Sequence, residues 1–270
     1  MNPDYDPVLL SRIEDAGLNA SAPPQQRWLD GWLVRFSPGK AKRARCINAV
    51  APGRLSIEEK LALCRPVYDT AHLALHVRVT PFSQPEGLDF RLDALGLVRQ
   101  DDTRVMVRAA LHDLPDSAEA GGYRLDRLGH HAFAELVGRF RGSSLAERLA
   151  HAERLQGAPV PFQGFALIGD ADAPVACGQI AIEAELVGLY DVYTAQARRG
   201  RGLARVLCRQ MLGFARNLGA RTAYLQVEAD NLAARRVYHS LGFGDAYAYY
   251  YRSPRRGPSV AEAGAGGGRC

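Results

Sequence analysis

The stretch that most limits how this chain can fold is Val192–Ala204, VYTAQARRGRGLA. An apolar strand-like run ends there. A loop carrying Arg198, Arg199, Gly200, Arg201 and Gly202 follows, and a helix begins. Over 202–218, Leu203, Leu207, Met211, Phe214 and Leu218 recur every three or four residues and predict one buried stripe. Gly219 stands where a helix C-cap belongs. The physics of this arrangement suits a pyrophosphate. The first helical N–H groups are unpaired, the helix dipole is positive there, and glycine lets backbone come close. Arginines add charge-assisted hydrogen bonds to phosphate oxygens. On its own, a basic glycine-rich turn is equally the composition of a solvated loop. The Walker pattern is absent, and Arg205 stands where the dinucleotide fingerprint needs its third glycine.

Periodicity places the loop within a chain of alternating elements. The first half reads as a helix over 5–17, strands 28–36 and 43–50 joined at Ser37-Pro38-Gly39, and a helix from the capping box at Ser56 to about Tyr68. Strand 73–79, helix 86–95 and strand 103–109 follow. Residues 113–122 are polar, with proline and glycine, and read as a linker. Beyond them come strand 123–126, helices 130–140 and 144–156, and strands 163–169, 175–185 and 187–194. Helix 202–218, strand 222–228, helix 231–241 and strand 245–252 complete the pattern. LALHVRV, a short helix, LDALGLV and VMVR echo YLQV, a short helix, YHSLGF and YYYR. The echo suggests two copies of one α/β unit; strand–helix–strand units that merely look alike would read the same way.

The order strand, RRGRGLA, helix, strand is followed by Asn231-Leu-Ala-Ala-Arg-Arg-Val-Tyr238-His-Ser-Leu-Gly242-Phe243. Together these resemble the GNAT acyltransferase superfamily. RRGRGLA is similar to its coenzyme A pyrophosphate loop, and the second segment to its signature N-x-x-A-x-x-x-Y-x-x-x-G-F. The resemblance spans roughly 121–252. One position departs from it: Ala197 replaces the usual Gln or Arg. The resemblance implies an α/β fold on a mixed sheet, with a catalytic domain over 123–252; the Gly-, Ala- and Pro-rich composition of 253–270 reads as a disordered tail. Residues 1–112 are similar to the degenerate first domain of tandem members.

The resemblance also implies an activity: direct transfer of an acetyl group from acetyl-CoA to a primary amine in a ternary complex. Val192, Tyr193 and Thr194 would carry the pantetheine arm. Arg199, Gly200, Arg201, Gly202, Leu203 and Ala204 would cradle the pyrophosphate, and Asn231 would support the cofactor. Tyr238 matches the acid that protonates the leaving thiolate, since phenol and thiol pKa values lie near one another. Tyr238 is equally readable as a packed aromatic and Asn231 as an N-cap. Asp191 and Glu228, near the ends of adjacent strands, are candidates for the base, and each reads equally as a surface carboxylate or an arginine partner. Tyr190, Tyr193 and Gln226 are candidate cleft lining. His130, His131 and His239 have no partner pattern and are assigned to solvent or packing.

The corresponding loop of the first half carries Pro52, Gly53, Ser56, Glu58 and Glu59. Two acids in a helix's first turn repel a pyrophosphate, and the counterpart of Tyr238 falls near Leu92. This half is therefore expected to pack against the second and shape the acceptor pocket. Trp28, Trp32, Arg35, Arg43 and Arg45 are candidate lining, against the reading of core tryptophans and an exposed basic strand.

The net charge of +5 concentrates in Arg198–Arg209 and in a tail with Arg252, Arg255 and Arg256. It fits a phosphorylated cofactor. A nucleic-acid partner lacks the expected aromatic interleaving. The five cysteines, 46, 64, 177, 208 and 270, show no metal spacing, so no metal is expected. No apolar run reaches the ~18 residues of a membrane span, and the N-terminus is not a secretory signal, so a cytoplasmic protein without membrane partners is expected. The competing function is a non-catalytic acyl-CoA-binding or sensing module. The acceptor amine and the oligomeric state are left open.

Overall fold

A computed structural model describes residues 1–38, 41–115, 122–169 and 172–255. In chain order its elements are α1 (Pro7–Ala20), β1 (Gln26–Leu29), β2 (Trp32–Arg35), β3 (Ile47–Ala49), α2 (Ile57–Thr70), β4 (Val77–Val79), α3 (Leu88–Ala94), β5 (Leu97–Arg108) and β6 (Arg124–Leu128). Then follow α4 (His130–Arg141), α5 (Leu145–Gln156), β7 (Phe162–Ile168), β8 (Pro174–Glu183), β9 (Leu186–Thr194), α6 (Leu203–Asn217), β10 (Thr222–Glu228), α7 (Leu232–Ser240) and β11 (Gly244–Pro254). The chain divides into two units. Unit 1 holds Met1–Gln26 and Asp102–Tyr249; unit 2 holds Arg27–Asp101 and the segment from Tyr250 onward.

In unit 1 the strand order is β5-β10-β9-β8-β7-β6. β8 and β9 pair antiparallel, β9 and β10 parallel, and β10 and β5 antiparallel. A parallel pair needs a crossover, and α6 supplies it. Its stripe packs Leu203, Leu207, Cys208, Met211 and Leu212 onto Val187, Leu189, Ala223 and Leu225. Phe214 is only partly buried there, and Leu218 is 62% exposed because it caps the helix rather than continuing it. Gly219 then takes φ +97, as a residue just past a helix end does. A second cluster joins Phe133, Leu136 and Val137 of α4 and Leu155 of α5 to Phe162, Ala166, Cys177 and Ala181.

Unit 2 has the order β1-β2-β3-β4 and then the end of β11. It repeats the same senses of pairing: β2–β3 antiparallel, β3–β4 parallel across α2, and β4 with Tyr250–Arg252 antiparallel. Its core is built on Trp32, Val34, Ile47, Cys64, Tyr68, Val77 and Leu92.

Several expectations shift. The single strand 28–36 is two strands, because Asp30 (φ +42) and Gly31 (φ +83) form the two-residue turn that Asp-Gly favours. The strand expected over 43–50 shrinks to β3, preceded by a 3-10 turn at Lys42–Ala44. The chain changes unit at 26/27, 101/102 and 249/250, and only residues 113–115 and 122 of the expected linker are among the described residues. The tail begins later than expected, since β11 runs to Pro254 and buries Ser253. Arg252 is no tail residue: it donates to Asp89 Oδ1 at 2.7 Å and to the Leu97 carbonyl at 3.0 Å. Residues 39–40, 116–121 and 256–270 lie outside the described residues, and with them Gly39, part of the linker, Arg256, Cys270 and most of the tail.

Candidate active site

β9 and β10 pair from Leu186↔Thr222 to Leu189↔Leu225 and no further, although β9 runs on to Thr194 and β10 to Glu228. The two strands part there. Val192, Tyr193 and Thr194 lie on one edge of the gap, and Gln226 and Glu228 on the other.

The loop after β9 makes a short 3-10 turn at Gln196–Arg198 and then passes through Gly200 (φ +77) and Gly202 (φ +73), the residue that caps α6. Both glycines are in the left-handed region, where side chains are strained. A Cβ at either would meet nothing within 4 Å. No side chain caps α6. Among the described residues the backbone N–H groups of Gly200, Arg201, Gly202, Leu203 and Ala204 have no hydrogen-bond acceptor. A run of such amides at a helix start is an anion cradle. The cradle begins one residue later than expected, because the Arg199 amide points at the Gln196 carbonyl, 3.4 Å away. The Arg199 guanidinium also turns back to the strand end: it donates to the Tyr193 hydroxyl at 3.0 Å and lies 5.4 Å from that ring's centre. Arg201 is exposed, and Arg198 partly so.

Asn231 caps α7, its Oδ1 accepting from the Ala234 amide at 3.1 Å. On that helix Tyr238 packs against the α6 core and lies edge-on to Phe243 at 6.0 Å. Its hydroxyl makes no hydrogen bond among the described residues. Burial, with Cys208 nearby, pushes its pKa up. The phenol is therefore a neutral donor at any physiological pH. The same shift widens the gap to a thiol's pKa, so hydrogen-bond donation to a developing thiolate is easier than complete proton transfer.

The two base candidates part ways. Asp191 accepts from Arg141 Nη2 at 2.8 Å and from Gln179 Nε2 at 2.7 Å, and His151 Nε2 lies 3.4 Å from its Oδ2. Burial raises its pKa, but His151 and Arg141 outweigh that and hold the carboxyl far below the usual range. A carboxylate so held is a poor proton acceptor, and its place beside Arg141 matches the alternative reading of an arginine partner. Glu228 is exposed at the last residue of β10, with its carbonyl accepting from the Asn231 amide. Tyr190 shares a 2.8 Å hydrogen bond with Tyr224, and Gln226 accepts from the Tyr249 hydroxyl at 2.9 Å. Tyr193 stacks on Phe140.

Arg141, His151 and Gln179 did not stand out in the sequence. They meet at Asp191 through separations of 50, 40 and 12 residues, which no local motif records. One signal was present: the apolar alternation Val187, Leu189 is broken at Asp191 and resumes out of phase at Val192. His130 faces the Phe162 carbonyl, His239 that of Phe243, and His131 is exposed.

In unit 2, Trp28 is 64% exposed, Trp32 is a core tryptophan and Arg35 is buried, while Arg43 and Arg45 are half-buried ahead of β3, so these residues do not form the exposed basic strand of the alternative reading. Among the described residues no group of His, Cys, Asp and Glu could hold a metal, and no helix is long and apolar enough to cross a membrane.

Comparison with known proteins agrees with this architecture. The family model described as "Probable histone acetyltransferase Rv0428c C-terminal" matches residues 10–252. An uncharacterized N-acetyltransferase, YobR, of Bacillus subtilis (strain 168) is 25% identical over 236 residues, covering 85% of this chain and 92% of that protein. A GCN5-related N-acetyltransferase from Kribbella flavida superposes with a TM-score of 0.68 at 17% identity, over 93% of this chain and 97% of that one. A tandem GNAT protein from the clavulanic acid biosynthesis pathway superposes with a TM-score of 0.59 at 18% identity, over 75% and 70%. The mixed α/β fold is that of the GNAT structures, and the chain belongs to the Rv0428c C-terminal acetyltransferase family.

Proposed function

We propose that unit 1 is an acetyl-CoA-dependent N-acetyltransferase acting on a primary amine. The observation that carries this reading is the run of open amides from Gly200 to Ala204 beside two strands that part at Leu189 and Leu225. The amides, with Arg198 and Arg201, fit a pyrophosphate in charge and in space. The parted edge at Val192–Thr194 offers backbone groups to an extended amide-bearing arm. The names of the family and of the Bacillus subtilis relative support the same activity.

In this reading, acetyl-CoA bound there supplies an activated acyl thioester. The amine attacks its carbonyl directly, with both substrates bound. Tyr238 donates a hydrogen bond to the sulfur as the C–S bond breaks. The proton lost by the amine goes to water or to Glu228, since Asp191 is held by Arg141 and Gln179. Interactions that strengthen only as charge develops raise kcat rather than ground-state binding, and the Tyr238 hydroxyl is placed in that class.

The pairing senses shared by β2–β3–β4 and β8–β9–β10 support a further part of the proposal: Arg27–Asp101 is a divergent copy of the same unit whose loop no longer takes the cofactor. The first test is thermal: millimolar CoA raises the melting temperature of the chain by mass action. The absence of a shift counts against the assignment. An acetyl-CoA consumption screen over an amine library, with thiol release as readout, then separates an enzyme from a cofactor-sensing module.

A further inference from the structure

β9 carries an extra residue. Cys177 pairs with Tyr193 and Gln179 with Tyr190, so three steps along β9 match two along β8. The extra residue is absorbed at Asp191, which takes φ +50. The break is visible in the side chains. Tyr190 and Tyr193 both pack toward the α4–α5 cluster, whereas an unbroken strand would put them on opposite faces; Val192 packs toward α6. The left-handed region strains an ordinary L-residue, and aspartate is among the residues that tolerate it.

Three separate elements grip the Asp191 carboxylate: Arg141, the last residue of α4; His151 on α5; and Gln179, 1% exposed on β8. The grip is itself supported, with the Arg141 guanidinium 5.8 Å from the Tyr193 ring centre and His151 edge-on to Phe133 at 6.2 Å. Asp191 lies within Tyr190–Thr194, the part of β9 that has no β10 partner, and immediately precedes Val192–Thr194. A one-residue slip reverses which backbone groups point to a given side of a strand. The conformation of Asp191 therefore decides which N–H groups of Val192–Thr194 face the gap.

We propose that Asp191 is a positioning residue: clamped by Arg141, His151 and Gln179, it locks the β9 bulge and so fixes the backbone donors that meet the acyl end of the cosubstrate. The inference rests on the proposed acetyltransferase reading for its chemistry, but its structural half can be tested without activity. Amide hydrogen exchange over 190–194 is compared in the wild-type protein and in Asp191→Ala, Asp191→Asn and Arg141→Gln. Loss of the clamp in Asp191→Ala and Arg141→Gln raises exchange there about tenfold or more. Asp191→Asn keeps an oxygen acceptor and tolerates the same φ, so it stays within about threefold of wild type. In turnover, Asp191→Ala loses about 30-fold or more in kcat with little change in KM for acetyl-CoA, and Asp191→Asn restores most of it.

Unchanged exchange in both Asp191→Ala and Arg141→Gln overturns the proposal, because the bulge then holds itself. So does an Asp191→Asn variant as slow in turnover as Asp191→Ala, since that makes the charge, and hence a base, the essential feature. Arg141→Gln lies at a partly exposed helix end and supplies the exchange comparison if Asp191→Ala fails to fold. A wild-type protein that binds no CoA refutes the acetyltransferase reading and leaves the exchange result to decide the clamp.

Discussion

Two helices in this chain cross over between parallel strands, and they treat their first amides in opposite ways. Ahead of α6, Gly200 to Ala204 present open N–H groups, with clear space around both glycines. Ahead of α2, the chain's own acids fill the corresponding groups. Asp30 accepts from the Arg54 and Leu55 amides at 2.8 Å, and Glu59 accepts from the Ser56 amide at 2.8 Å, with Ser56 returning the capping bond. Pro52 has no N–H, and a Cβ on Gly53 would collide with Asp30 and with Lys60 Nζ. Lys60, 1% exposed, donates to the Asp30 and Pro52 carbonyls and sits 5.2 Å from the Trp32 ring centre. One loop is thus an open anion cradle, and the other is a cradle closed by internal anions and a buried cation. Strand–loop–helix geometry therefore supplies only the opportunity to bind phosphate. The occupants of the first amides decide whether it is used.

The largest expected effect lies downstream of the cradle. Tyr238→Phe removes the donor from α7, where α3 of unit 2 carries the buried Leu92. It lowers kcat on the order of 10²–10⁴-fold while leaving the CoA dissociation constant within about threefold. Equal losses in binding and turnover would reduce Tyr238 to packing. Next is the cradle itself. Arg198→Glu with Arg201→Glu reverses the two proposed phosphate contacts, worth about 1.5–3 kcal/mol each, and is expected to weaken CoA binding on the order of 10²–10⁴-fold by calorimetry. An unchanged affinity would mean the arginines are solvated and the comparison misplaced.

A smaller effect belongs to unit 2. Lys60→Met strips the filled loop of its cation and lowers the unfolding free energy by about 1–3 kcal/mol in denaturant titration, with CoA affinity unchanged. The smallest is a pH dependence. Hydrogen bonds from the Leu55 and Arg54 amides lower the Asp30 pKa, and those from Ser56 lower that of Glu59. A carboxyl with a depressed folded-state pKa stabilises above its unfolded value, and that contribution is lost as the pH falls through the folded value. Melting temperature therefore drops as the pH is taken below about 4.5. Asp30→Asn with Glu59→Gln flattens that drop; an equally steep slope in the double variant would place the acid sensitivity elsewhere.

The sequence made the cradle legible because its chemistry is local. Glycine and arginine over Arg198–Gly202 and helix periodicity over 202–218 suffice to foresee the loop and the stripe. The Glu59 capping box was legible for the same reason. What stayed hidden depends on contacts between distant residues. Nothing near Gly53 announces that Asp30, 24 residues earlier, will fill the Arg54 amide. Asp191 was readable as a base, a surface carboxylate or an arginine partner, and the choice stayed open because Arg141, His151 and Gln179 come from three other elements. The single strand expected over 28–36 failed because the apolar pattern outweighed the Asp30-Gly31 turn. The tail was begun too early because Ser253-Pro254 reads as a breaker, whereas β11 runs on to Pro254 and buries Ser253; Arg252 reads as one more basic surface residue until Asp89 and Asp93 are brought beside it.

The most direct test of the account is the stoichiometry of CoA binding measured by titration calorimetry on the full chain. The account predicts one site per chain. Arg198→Glu with Arg201→Glu weakens it on the order of 10²-fold or more, and Asp30→Asn with Glu59→Gln leaves it untouched. Two sites per chain, or a single site that survives reversal of Arg198 and Arg201 and disappears with the changes at Asp30 and Glu59, would contradict it.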